Sequence, residues 1–200
     1  MKEAIDHLKQ ADPVLSAIID RVGEYRIRFR RPDFETLVKS IIYQQLSGRV
    51  ASVIFERLAK AAGSRITPES VLKLRPSRMR ALGLSGQKTA YIRDLARHTR
   101  KGTVAFKNLA KLSDEQVVEH LTRVKGIGPW TVHMFLIFAL RRHDVLPTGD
   151  LGIRNAMRKA YGLAELPAPA EMEAMAAPWR PYCTVASWYL WRSLEPNANL

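Results

Sequence analysis

Cysteine is nearly absent from this sequence: Cys183 stands alone, so no internal disulfide can form and no cysteine-built zinc or iron–sulfur site can be assembled. A reducing compartment suits such a chain without being required by it. Long apolar runs are missing too. The longest, residues 134–140, falls far short of the roughly 20 residues that cross a bilayer, and Met1-Lys2-Glu3-Ala4-Ile5-Asp6-His7 lacks the apolar stretch of a signal peptide. The expectation is a cytoplasmic protein with no membrane contact. Acidic residues are the third shortage, with 19 Asp and Glu against 32 Lys and Arg, a formal charge of +13. The excess favours a polyanionic partner, nucleic acid ahead of an acidic protein or an anionic membrane surface, although a lineage of basic proteins would also produce it.

What is present is ample for a core: 200 residues, 46% of them hydrophobic, suit one domain or two tightly joined lobes. Phe34, Leu37, Val38, Ile41 and Ile42 fall on one helical stripe, Ser47-Gly48 interrupts it, and Val50, Val53, Ile54 and Leu58 resume the period. Thr67-Pro68 reads as an N-cap with proline in the first turn. Gly83 and Gly86 break the next stretch before a helix over residues 87–98, and Ser113 with Gln116 has capping-box spacing. Residues 129–140 are almost continuously apolar, which predicts a central helix surrounded by others. Strand-like alternation is confined to residues 25–29, so the reading is all-α with at most a minor β element, and there are no repeats or low-complexity segments.

The segment Leu121-Thr122-Arg123-Val124-Lys125-Gly126-Ile127-Gly128-Pro129-Trp130-Thr131-Val132 is a helix, a tight turn and a second helix opened by proline. Gly126 and Gly128 allow backbone conformations closed to other residues and let another chain come close, while Ile127 plugs the turn into the core. Free amides at the start of the second helix, with the positive end of its dipole, suit a phosphate oxygen. Lys125 adds charge and Thr131 a hydroxyl, contacts that position a duplex without reading its sequence. Equally, a lone Gly-x-Gly can be an ordinary helical hairpin whose glycines only end a helix.

This stretch resembles the helix-hairpin-helix motif of the DNA glycosylase superfamily, which is followed by a glycine- and proline-rich loop carrying a catalytic aspartate. Asp150 lies 22 residues past Gly128, within Val145-Leu146-Pro147-Thr148-Gly149-Asp150-Leu151-Gly152-Ile153-Arg154. Over roughly residues 30–195 the chain is similar to the 3-methyladenine DNA glycosylase II group. The further supports are Ser40-Ile41-Ile42-Tyr43-Gln44-Gln45-Leu46-Ser47, Pro178-Trp179-Arg180-Pro181-Tyr182 and Ser187-Trp188-Tyr189-Leu190-Trp191. The resemblance implies an all-α, two-lobed fold with the active-site cleft between the lobes, in a compact form without an N-terminal β-rich domain. Residues 1–200 would be a single catalytic unit, with approximately 30–110 as the lobe bearing the wedge turn. Approximately 111–200 plus the N-terminal segment would be the lobe bearing hairpin and aspartate.

The same resemblance implies roles. Asp150 stabilises positive charge on the sugar and orients water; it is also placed to cap a helix from Leu151, and both can hold. Trp130, Trp188, Tyr189 and Tyr43 are candidates to stack on a cationic alkylated base, worth about 0.5–2 kcal/mol per ring. Each could instead be core. Gln45 or Leu46 would fill the gap left by the flipped nucleotide, unless Leu46 is core and the glutamines cap a helix. Lys125, Gly126, Gly128 and Thr131 would hold phosphate, as would Lys88, whose place after Gly86-Gln87 resembles a second, looser hairpin. Trp130 stands where bifunctional members carry a Schiff-base lysine, which implies no lyase activity, and Gly149 stands where relatives often have an acid, which implies altered loop geometry or activity.

The implied activity is hydrolytic removal of 3-methyladenine, 7-methylguanine or ethenoadenine from double-stranded DNA by a monomer. No cofactor or catalytic metal is expected; a structural monovalent cation on the hairpin carbonyls is the one addition that relatives suggest. Two alternatives remain: a non-catalytic DNA-binding module, which has no use for Asp150 and its aromatics, and a glycosylase for uracil or oxidised purines, disfavoured by the missing lysine and cysteines.

Overall fold

Several helices begin where a short polar side chain can accept an amide. Asp12, Asp33, Ser47, Thr67, Ser85, Ser113 and Asp150 each take a backbone N–H two or three residues ahead. The computed structural model describes residues 1–195. In chain order the helices are α1 Lys2–Ala11, α2 Pro13–Val22, α3 Phe34–Tyr43, α4 Gly48–Ala61, α5 Pro68–Lys73, α6 Pro76–Ala81 and α7 Gly86–Arg100. They continue with α8 Phe106–Leu109, α9 Asp114–Thr122, α10 Pro129–Phe138, α11 Leu151–Ala160, α12 Pro169–Ala176 and α13 Cys183–Ser193. The helix stripe from Phe34, the break at Ser47 and the capping box at Ser113 all stand where the sequence places them.

Among the described residues there is no strand. The alternation at residues 25–29 has another cause: Tyr25 and Ile27 pack onto the core while Arg26 and Arg28 point to solvent, with no neighbouring strand to pair. Nor is α10 buried on all sides of its first turn, since Pro129 and Trp130 are exposed and burial begins at Thr131. No helix among the described residues is long and apolar enough to cross a membrane.

The chain divides into two compact units, Arg30–Phe135 and Met1–Phe29 joined by the chain from Leu136 onward. The boundary differs from the expected one near residue 110, and the hairpin therefore belongs with residues 30–135. The physical reason lies in α7, which carries the residues that bind the turn: the Lys125 amide donates to Asp94 at 3.1 Å and Gly126 lies against the Tyr91 ring.

Within Arg30–Phe135, α7 is the hub against which α3, α5 and α6 pack, through Ile92, Leu95 and Ala96. In the other unit α13 packs on α2 and α11, around Leu15, Ile19, Met157, Trp179 and Leu190. Asp12 ties that unit together. Its carboxylate is buried, caps α2 through the amides of Val14 and Leu15, and accepts the Trp179 indole N–H at 2.8 Å and the Tyr161 hydroxyl.

Candidate nucleic-acid interface and catalytic carboxylate

The hairpin turn is held from three sides within its own unit. Gly126 has φ +83°, and a Cβ there would lie 2.0 Å from the Tyr91 ring, so both conformation and packing demand glycine. Its carbonyl accepts the Gln44 side-chain amide at 2.9 Å, and the preceding amide, of Lys125, goes to Asp94. Ile127 is buried, as expected of a plug. Gly128 is different: exposed, with nothing within 4 Å of a Cβ position, it leaves the backbone ahead of α10 open to approach. The two glycines thus differ, one packed against Tyr91 and one open to solvent.

The second feature of this unit is the turn after α3. Gln44 leaves helical geometry, and Gln45 adopts φ +56°, a left-handed conformation uncommon for a residue with a side chain. Gln45 and Leu46 are both exposed, Leu46 at 38%, so Leu46 is not core. Gln44 holds the C-cap position of α3 while its side chain bridges to the hairpin, and the N-cap of α4 is Ser47. Nearby Tyr43 is half-buried, with the Lys39 ammonium 5.4 Å from its ring centre, and Trp130 is 45% exposed at the start of α10.

Two residues expected at phosphates are engaged elsewhere. The Lys88 ammonium donates to the carbonyls of Ile42 at 2.6 Å and Gln44 at 2.7 Å, the end of α3, and burial lowers its pKa. Lys88 is therefore reassigned from DNA to the turn: a cation beside the unpaired carbonyls of a helix end is better placed there than at a phosphate. Thr131 is buried on α10 and its Oγ1 lies 3.5 Å from the Gln44 amide, so it offers no hydroxyl to solvent. Lys125 remains exposed.

In the other unit the loop before α11 is anchored by buried Val145, whose amide donates to Thr184 Oγ1. Asp150 follows, 8% exposed, and its Oδ1 accepts two donors, the Ile153 amide at 2.8 Å and the Trp191 indole N–H at 2.9 Å. It does cap α11. Gly152 permits this: a Cβ would come within 2.9 Å of Asp150 Oδ1 and 3.2 Å of Trp191 Cδ1. Gly149 is under no such demand, being exposed with open space around its Cβ position.

Tyr189 is fully buried with its hydroxyl donated to the Gly23 carbonyl at 2.9 Å, and burial raises its pKa. That withdraws it from the stacking set, because no face is presented to a ligand. Trp188 is nearly buried and meets Tyr25 and Tyr189 edge-on, with the Arg192 guanidinium 5.9 Å from its ring centre. The sequence reading missed Tyr91 and Asp94 altogether, and it named Gln44 and Trp191 only within motifs, without the contacts they make. Only spacing hinted at them: Tyr91 and Asp94 share a face of α7 with Lys88, and Trp191 lies one turn beyond Trp188.

A hairpin with an open glycine amide end, a strained exposed turn and a buried aspartate on a helix start define a class of helical DNA-repair protein. The chain belongs to the HhH-GPD superfamily of base excision DNA repair proteins, whose family pattern it matches over residues 38–181. It is 35% identical over 193 residues to DNA-3-methyladenine glycosylase 1 of Schizosaccharomyces pombe, covering 94% of this chain and 85% of that one. Among solved structures it resembles the Schizosaccharomyces pombe 3-methyladenine DNA glycosylase in complex with abasic DNA, with TM-score 0.84, 34% identity and 95% of each chain covered. It also resembles a DNA-3-methyladenine glycosidase from Bacillus halodurans, with TM-score 0.88, 34% identity, and 98% of this chain and 91% of that one covered.

Proposed function

We propose that this protein is a monofunctional DNA glycosylase that rotates an alkylated base out of duplex DNA and hydrolyses its bond to deoxyribose. The observation that carries the reading is Asp150, a nearly buried carboxylate whose Oδ1 is fixed by a backbone amide and an indole N–H. Capping α11 accounts for the amide contact, and the catalytic reading adds a use for the charge itself. An alkylated purine leaves with the electron pair of its glycosidic bond and needs no general acid. The positive charge left on the sugar is stabilised by Asp150, which orients the water that adds to the anomeric carbon. Gln45 or Leu46 fills the vacated stack; Trp130, Tyr43 and Trp188 are the rings to test for stacking on the base. Lys125 and the open backbone at Gly128 hold phosphate, with no sequence preference, while Gly126 packs the turn onto Tyr91.

Trp130 in place of a lysine supports hydrolysis without a lyase step. No cofactor takes part, and a monovalent cation on the hairpin carbonyls would be structural. The same reading makes the protein a cytoplasmic monomer, at the nucleoid in a bacterium, acting on 3-methyladenine, 7-methylguanine or ethenoadenine.

The test is chromatographic detection of bases released from methylated bulk DNA, with wild type and Asp150→Asn side by side. Release of 3-methyladenine by wild type alone is expected. Release by both removes Asp150 from the chemistry, and release by neither favours a binding module or another lesion.

A further inference from the structure

Helix α7 touches both elements assigned to DNA within its unit. Lys88, Tyr91 and Asp94 recur at three-residue intervals along one face. Asp94 accepts the Lys125 amide, Tyr91 fills the space under Gly126, and Lys88 holds the carbonyls of Ile42 and Gln44. Gln44 closes the circuit by donating to the Gly126 carbonyl. The residue that follows, Gln45, is strained and exposed, a conformation that persists only where its surroundings over-determine it. An ammonium with two of its three protons on the carbonyls at that turn is such a surrounding.

We propose that Lys88 is a positioning residue for base flipping: through α7 it fixes the wedge turn against the hairpin, so that gripping the phosphate and filling the stack are actions of one rigid body. The proposal rests on reading residues 44–46 as the wedge.

Lys88→Met keeps the stem and removes the donors; Lys88→Arg restores donors. The readout is single-turnover release of 7-methylguanine from a duplex with the lesion opposite cytosine, and from one with the lesion opposite an abasic site, where extrusion breaks no pair. Lys88→Met should slow the paired substrate by about 10-fold or more, the scale of a small misplacement, and the unpaired one much less. Lys88→Arg should recover part of the rate. Affinity for undamaged duplex and its salt dependence should match wild type. A salt slope reduced by about 1 would instead put Lys88 on a phosphate and overturn the proposal. Equal losses on both substrates without rescue by arginine would make Lys88 merely structural and overturn it too. If wild type releases nothing, the glycosylase reading fails separately, and hydrogen exchange decides Lys88: faster exchange of the Leu46 amide in Lys88→Met upholds the positioning, and unchanged exchange refutes it.

Discussion

Replacing Asp150 in two ways should separate its structural and chemical duties. Asparagine ranks with aspartate as a helix cap, and its side-chain carbonyl can still accept the Ile153 amide and the Trp191 indole N–H. What is lost is charge at the start of α11, about 0.3–1 kcal/mol, or a fall in Tm of about 2–4 °C at most for a chain of this length. Alanine removes the cap, about 1 kcal/mol, and a bond from an indole to a charged acceptor, about 1.5–3 kcal/mol. The total of about 2.5–4 kcal/mol should lower Tm by roughly 5–16 °C. Catalysis should not distinguish them: either change removes the negative charge, and both should cost at least about 10²-fold in single-turnover base release. The assays are thermal unfolding followed by circular dichroism and chromatography of released base. An active, clean Asp150→Asn preparation would refute the catalytic assignment. An Asp150→Asn protein as unstable as Asp150→Ala would refute the capping argument, because charge rather than acceptor geometry would then be holding α11.

The two hairpin glycines should respond oppositely. Gly126→Ala combines a left-handed backbone, about 1–2 kcal/mol, with overlap of the Tyr91 ring, about 1–3 kcal/mol, and Tyr91→Ala in the same chain should return part of the loss in urea unfolding. Gly128→Ala should change stability by less than about 0.5 kcal/mol while weakening duplex binding measured by fluorescence anisotropy. Trp191→Phe removes the indole donor from Asp150 and should slow base release by a factor smaller than Asp150→Asn does, with affinity for undamaged duplex unchanged. Burial pushes the Asp144 carboxyl up, but the Cys183 thiol, the Arg180 guanidinium and the Cys183 amide together outweigh it and hold its pKa below the ordinary value. A depressed folded-state pKa means stability fully present above the unfolded value of about 3.9 and lost as pH falls through the folded one. Asp144→Asn should therefore cost more stability at about pH 6 than at about pH 3, and an equal cost at both would refute the linkage.

Much of the secondary structure was legible because its causes are local. Caps at Ser47, Thr67, Ser113 and Asp150 each need only an acceptor oxygen a few residues before a run of amides, and the α3 stripe needs only its own periodicity. Local patterns also misled. Alternation at residues 25–29 is what two side chains packing on helices look like when no partner strand exists.

The hairpin glycines, the aspartate after them and the helix break at Ser47-Gly48 were legible in the sequence alone, since turn chemistry and spacing along the chain are properties of the chain. Only the tertiary structure decided what each polar group does. Lys88 reads as a phosphate contact and is held by two carbonyls more than forty residues away; Thr131 reads as a hydroxyl donor and is buried; Tyr189 reads as a stacking ring and is core. Trp191, in the sequence only the end of an aromatic motif, holds the candidate catalytic carboxylate. A side chain's partner depends on which distant segment packs against it, and that is settled by burial of the whole apolar surface rather than by any window of sequence.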